Sequence, residues 1–193
     1  MNHMINYTKK AIIDCFWTFL EAKSIDKITV KDIVEHCNIN RNTFYYYYSD
    51  IYELLEDALT TKVKSKLRHI SDYDSLYDAY IHSIAPFVNH KQIIQHIYNS
   101  KAKDAFEDYI HSIINSYMRK FVITYAAGYR LGEDDIEYIS SFYTYAITGS
   151  IINGIKTDMN DMSSNYIKNI SDTFNATITD IIRQRLDSSQ DAG

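Results

Sequence analysis

A chain of 193 residues, 46% hydrophobic and with only five glycines and one proline, has room for one substantial core or for a small domain joined to a larger one. This composition argues against wholesale disorder and for an all-α fold, while no run approaches the roughly 18 apolar residues of a membrane-spanning helix. The net charge of −5 counts against nucleic acid as a partner, but it is unevenly spread: six basic and five acidic side chains leave Met1 to Tyr48 at +1 and the remainder at −6.

In chain order, a first helix is expected from Asn6 to Ala22, where Ile12, Ile13, Phe16, Trp17, Phe19 and Leu20 recur at offsets of three and four. Lys9 and Lys10 read as its solvated end. Asp14 interrupts the apolar residues, so no signal peptide is expected. Cys15 and Cys37 fall at apolar helical positions and read as reduced, buried and cytoplasmic.

After the polar loop Lys23 to Ile28, Thr29 is placed as an N-cap with Asp32 three residues on, the spacing of a capping box. A short helix from Val30 to Cys37 then buries Val30, Ile33, Val34 and Cys37. Asn38 sits where the chain must reverse, and asparagine tolerates the left-handed conformation best among residues other than glycine. Ile39 follows as an apolar anchor and Asn40 as the next N-cap; Ile39 and Phe44 then occupy the two positions of a hydrophobic staple. Two short helices joined by a three-residue turn make a helix-turn-helix, spanning about residues 29–49.

The helix after that turn, Arg41 to Tyr48, turns Phe44 and Tyr48 inward. Arg41, Asn42, Thr43, Tyr45, Tyr46 and Tyr47 cover the rest of its circumference. Four consecutive tyrosines point in four directions, so no more than two can share a buried face. A wide polar and aromatic face on such a helix suits a DNA groove: arginine bonds guanine bidentately, asparagine reads adenine, and a threonine methyl packs on thymine. Tyrosine hydroxyls reach phosphate.

These residues carry a resemblance. Thr-Val-x-x-Ile from Thr29, then Asn-Ile-Asn-Arg-Asn-Thr-Phe-Tyr-x-x-Tyr from Asn38 and Asp-x-x-Glu-Leu-Leu from Asp50, resemble the TetR-type (TetR/AcrR) transcriptional regulators. The family pattern, small-Gly-Val-Ser-x-x-Thr-Phe-Tyr-x-x-Phe, is met here by Cys37, Asn38, Ile39 and Asn40 in its first four places. Thr43, Phe44 and Tyr45 match it directly, and Tyr48 stands at the last phenylalanine. The family's lysine after this helix, usually a phosphate contact, is Ile51 here. Lys31 matches a position at which the family often holds DNA. The DNA-contact candidates are thus Lys31, Asn40, Arg41, Asn42, Thr43, Tyr45, Tyr46 and Tyr47.

Asp50 and Glu53 form a second capping box before a helix from Ile51 to Ile70, whose apolar residues keep the 3.6 period. Further helices are expected at about 75–89, 91–99, 101–127, 133–157 and 163–186, with Pro86 kinking the first. His82, His90, His96 and His111 lack metal-ligand spacing, and no phosphate loop or nucleophile elbow occurs. No enzyme, cofactor or metal is expected. Ala146, Gly149, Ser150, Asn153 and Gly154 form a strip of small residues, and Ile167, Ile170, Phe174, Ile178 and Ile181 an apolar seam. Together they are expected to build a four-helix homodimer interface, as the resemblance also implies, with a pseudo-palindromic operator as its counterpart. The many tyrosines between suit either plain packing or an effector pocket with no assigned lining.

The expected organisation is an all-α chain with a DNA-binding head at 5–66 and a helical regulatory and dimerisation region at 71–187. Its expected function is that of a sequence-specific regulator, a repressor released by a small-molecule effector. The alternative is an accessory or interaction protein that has lost operator binding.

Overall fold

The computed structural model describes residues 2–67, 77–78, 90–127, 131–158 and 164–190. Among these the α-helices are α1 (Asn2–Ala22), α2 (Val30–His36), α3 (Arg41–Tyr47), α4 (Ile51–Leu67), α5 (Lys91–Tyr98), α6 (Lys103–Tyr125), α7 (Glu133–Lys156) and α8 (Ser164–Gln190), with a 3-10 turn at Ile25–Lys27. The all-α expectation holds. Cys37 and Tyr48 close α2 and α3 as caps instead of lying inside them. Residues 77–78 are helical, as expected there; the remainder of the expected helix at 75–89, the kink at Pro86 and the last turn before Ile70 lie outside the described residues.

The chain divides into two compact units. The first holds α1 to α4, α5 and the residues up to Phe106; the second holds α6 from Glu107, α7 and α8. Inclusion of α5 in the first unit differs from a division at residues 66 to 71, and the cause is local. The apolar face of α5 buries Ile93, Ile94, Ile97 and Tyr98, and α5 packs on α1. Each buried isoleucine contributes about 1.5–3 kcal/mol. Polar bonds fix the register. The His96 ring Nδ1 donates to the Leu20 carbonyl at 2.6 Å, an orphan acceptor at the end of α1, so the ring proton sits on Nδ1. Ser24 Oγ donates to the His96 carbonyl at 3.4 Å, and the Asp26 carboxylate accepts the Lys101 backbone N–H at 3.3 Å.

The core of the first unit contains Ile12, Phe16, Leu20, Ile33, Phe44, Leu54 and Ala58, all without solvent exposure. These residues come from all four N-terminal helices, so the short α2 and α3 owe their persistence to packing more than to length.

In the second unit α6 supplies Ile114, Met118, Phe121 and Val122, α7 supplies Ile139, Tyr143, Ile151 and Ile155, and α8 supplies Phe174, Ile178 and Ile182. Phe174 is central: its ring meets Tyr143 at 4.7 Å, Tyr125 at 5.5 Å and Phe121 at 6.2 Å, each near edge-to-face. The tyrosine hydroxyls find partners, Tyr143 with Thr177 at 2.6 Å and Tyr125 with Asn175 at 2.9 Å. Among the described residues no helix is long and apolar enough to cross a membrane, and no cluster of three potential metal ligands occurs.

Candidate nucleic-acid interface

The interface is built from two locked helix ends and a turn. At the start of α2, Thr29 Oγ1 accepts the Asp32 N–H at 3.1 Å, and Asp32 Oδ2 accepts the Thr29 N–H at 2.9 Å, a complete capping box. Lys23 Nζ closes on the same oxygen at 2.9 Å. The Thr29 N–H above all, and then Lys23, hold the Asp32 carboxyl below the usual carboxylate range.

At the end of α2 the chain reverses through Asn38, whose φ of 51° is left-handed. The Ile39 N–H bonds the Val34 carbonyl at 3.0 Å and the Asn38 N–H bonds that of Glu35 at 3.3 Å. This is the paired closure of a Schellman motif, with asparagine where glycine is commoner. Asn40 then caps α3: its Oδ1 accepts the Thr43 N–H at 2.8 Å and the Thr43 hydroxyl at 3.1 Å. Asn40 Oδ1 and the Thr43 hydroxyl are therefore engaged in the cap, although both residues are candidates for reading DNA.

Phe44, fully buried, and Tyr48, 2% exposed, face inward with ring centroids 5.8 Å apart. The outer face of α3 carries Arg41 and Asn42, both exposed, with Tyr45 at 54% and Tyr46 at 71% exposure. Tyr47 is half-buried and meets the Tyr46 ring edge-on at 5.0 Å. Arg41 makes no ion pair among the described residues. Lys31 is exposed and stands 3.7 Å from Glu35 one turn along α2, a surface pair that a phosphate can readily replace. Ile51 is buried at 8% exposure, so it serves the core and offers phosphate nothing.

Before α4, Asp50 Oδ1 accepts the N–H groups of Tyr52 and Glu53, at 2.8 and 2.9 Å. Glu53 reaches back to the N–H of Ser49, one residue short of the reciprocal partner expected in a capping box.

Two expectations need correction. Cys15 is buried but Cys37 is only half-buried, because as the cap of α2 it lies at the edge of the core. Its thiol reaches the Ala11 carbonyl at 3.6 Å; burial pushes the Cys15 thiol up to about 12 and raises Cys37 as well. Phe174 and Ile178, expected on a face shared with a second subunit, are 1% and 0% exposed within the chain and leave a partner no surface to cover. The side chain of Ile167 lies outside the described residues.

Of the other candidates on that face, Gly154 is buried and the rest reach the surface. Ala146, Gly149 and Asn153 are exposed, while Ser150, Ile170 and Ile181 are half-buried; the Ser150 hydroxyl bonds the Ala146 carbonyl at 2.8 Å. A Cβ built at Gly149 would meet open space. Tyr138, Phe142 and Tyr145, 54%, 54% and 67% exposed, continue the stripe of Gly149 and Asn153 at offsets of three and four. These aromatics fall outside the strip of small residues expected on this helix. Their spacing carried the signal.

A further connection has no sequence signature. Lys9, half-buried on α1, meets Asp57 of α4, and Asp57 in turn accepts the Tyr48 hydroxyl.

Comparison with known proteins agrees with this geometry. Residues 17–58 match the family described as bacterial regulatory proteins, tetR family, and residues 74–176, more than half of the chain, match the family described as transcriptional regulator C-terminal region. The solved structure of the dihydroxyacetone kinase operon activator DhaS aligns with a TM-score of 0.58 over 93% of this chain and 96% of its own, at 17% identity, a likeness of fold alone. No curated protein matches the chain.

Proposed function

The chain belongs to the TetR family of DNA-binding transcriptional regulators, and we propose that it acts as a homodimeric repressor that a small-molecule effector releases from a pseudo-palindromic operator. The observation that carries the reading is the outer face of α3. Arg41, Asn42, Tyr45 and Tyr46 stand exposed on a helix fixed by a Schellman turn and an asparagine cap. A recognition helix presents its N-terminal residues to base edges. Arg41 is then the reader, bidentate to a guanine, with Asn42 beside it. Tyr45, Tyr46 and Tyr47 line sugar and phosphate. Lys31 approaches the backbone from α2, and Asn40 and Thr43 contribute chiefly by holding the helix start.

Dimerisation supplies the two-fold symmetry of the operator. The stripe Tyr138, Phe142, Tyr145, Ala146, Gly149 and Asn153 on α7 is the face assigned to it, with Ile170 and Ile181 of α8 alongside. Exposed aromatics flanking a glycine are the composition of an interface core, large anchors beside a place of close approach. Effector binding shifts the population between head spacings only as far as its differential affinity allows. No catalytic role is assigned, and the working compartment is the cytoplasm, where the operator is.

A second reading, an interaction protein without operator affinity, draws on the burial of Ile51 and the nearly neutral head. Gel retardation with the DNA upstream of its own gene separates the two. Sequence-dependent retardation at about 0.15 M salt supports the repressor; none, or retardation indifferent to sequence, supports the second reading. A promoter–reporter fusion reads the sign of regulation, and rising expression on deletion is the outcome expected for a repressor.

A further inference from the structure

Asp57 sits on the second turn of α4, and its carboxylate joins three helices. Its Oδ2 accepts the Tyr48 hydroxyl at 2.7 Å, at the C-terminal end of α3. Lys9 Nζ, from α1, lies 3.1 Å from Oδ1 and 3.0 Å from Oδ2. The same ammonium lies 5.9 Å from the centre of the Tyr48 ring. Lys9 and Asp57 side chains are 39% and 27% exposed, and Tyr48 is 2% exposed, so the node is partly withdrawn from water. A bond of 2.7 Å to an ionised acceptor belongs to the stronger class.

The hydroxyl is the unusual part. The resembling family pattern ends this helix with phenylalanine, which fills the same space and can reach no carboxylate. Packing alone therefore does not require the oxygen. Its presence, matched to an acid six residues into α4 and to a lysine forty-eight residues before that acid, forms a set of three with one geometric product. The C-terminal end of α3 is tied to α4 and α1 by polar bonds. Asn40 fixes the other end of α3, so a helix of seven residues is held at both termini. One residue of slippage along α4 moves the carboxylate by about 1.5 Å, enough to break the bond.

We propose that Asp57 is a positioning residue for the recognition helix: held by Lys9, it fixes the angle of α3 through the Tyr48 hydroxyl and makes that angle follow α4. This rests on α3 being the DNA-reading element. The node touches no base, and it governs the fit of Arg41 and Asn42 to base edges while leaving unspecific attraction to phosphate unchanged.

The test uses full-length Tyr48→Phe, Asp57→Ala and the double variant. Backbone hydrogen exchange of α2 and α3 is measured alongside affinity for the upstream DNA and for a random duplex of equal length. Tyr48→Phe is expected to fold, to speed exchange in α3 but not in α2, and to lower specific affinity about tenfold, the scale of a hydrogen bond to a charged group. Affinity for the random duplex should not change. Asp57→Ala should do at least as much, since it also removes the Lys9 pair, and the double variant should lose no more than the worse single one, since both remove the Tyr48–Asp57 bond. Unchanged exchange in α3, additive losses, or equal losses on both duplexes would overturn the proposal. If the wild-type protein fails to discriminate the two duplexes, the DNA-reading role falls. The exchange result then still decides whether the node holds α3.

Discussion

Arg41 is an exposed cation with no ion-pair partner among the described residues, at the first turn of a helix whose cap is already satisfied by Asn40. A guanidinium in this position has no structural duty to lose. Arg41→Ala is therefore expected to weaken operator binding by about 1–3 kcal/mol, the worth of one bidentate base contact, with an unchanged thermal midpoint. Tyr45→Phe should weaken it less, because the ring remains. Anisotropy titration together with a melting curve checks both, and normal binding by both variants would remove α3 as the reader. The cysteines make the opposite case, side chains that look reactive and are not. Burial raises both thiols, so thiolate accumulates only as the pH climbs towards the folded values, about 12 for Cys15. Both should resist a disulfide-exchange reagent at pH 7 in the native protein and react freely once it is unfolded. Rapid labelling of native Cys15 would contradict the burial argument.

At the scale of elements, α2 and α3 are too short to persist alone, and their ends carry much of what keeps them. Asn40→Ala removes the acceptor for Thr43 and should cost about 1 kcal/mol of stability in denaturant unfolding. Asp32 sets an acid limit. Its carboxyl is depressed in the folded chain, so its contribution is present above the ordinary aspartate pKa of about 3.9 and is lost as the pH falls through the folded value. Asp32→Asn should flatten that acid limb when stability is followed from pH 6 downward. These ends were legible in the residues because caps and turns are local. Thr29 with Asp32, Asn38 in the left-handed region, and Asn40 with Thr43 each lie within a few positions. What could not be read was long-range. Lys9 looked like a solvated helix end and is tied to Asp57, and the apolar face of α5 gave no hint that its partner would be α1. Periodicity says that a face is buried and is silent on what covers it.

For the whole molecule the same limit bears on the surface proposed for a second subunit. The seam of α8 was readable as apolar, but Phe174 and Ile178 spend that character inside the chain, where Phe174 meets Tyr143, Tyr125 and Phe121. The face proposed for a partner is the aromatic and glycine stripe of α7. Gly149→Leu tests it: the position opens on empty space within the chain, so the fold should tolerate the side chain and the helix should gain propensity, while close helix approach across a dimer is blocked. Light scattering at micromolar concentration should find a dimer for the wild type and a monomer for the variant. A wild-type monomer would remove the interface. The central claim is more direct still, that an acidic chain of net charge −5 reads DNA through a nearly neutral head. Retardation of the DNA upstream of its own gene, against a random duplex over a series of salt concentrations, measures it in one experiment. The expected result is a specific complex that persists at about 0.15 M salt with a shallow salt dependence, since few cations face phosphate. No complex, or one that binds both duplexes alike and dissolves as salt is added, would contradict it.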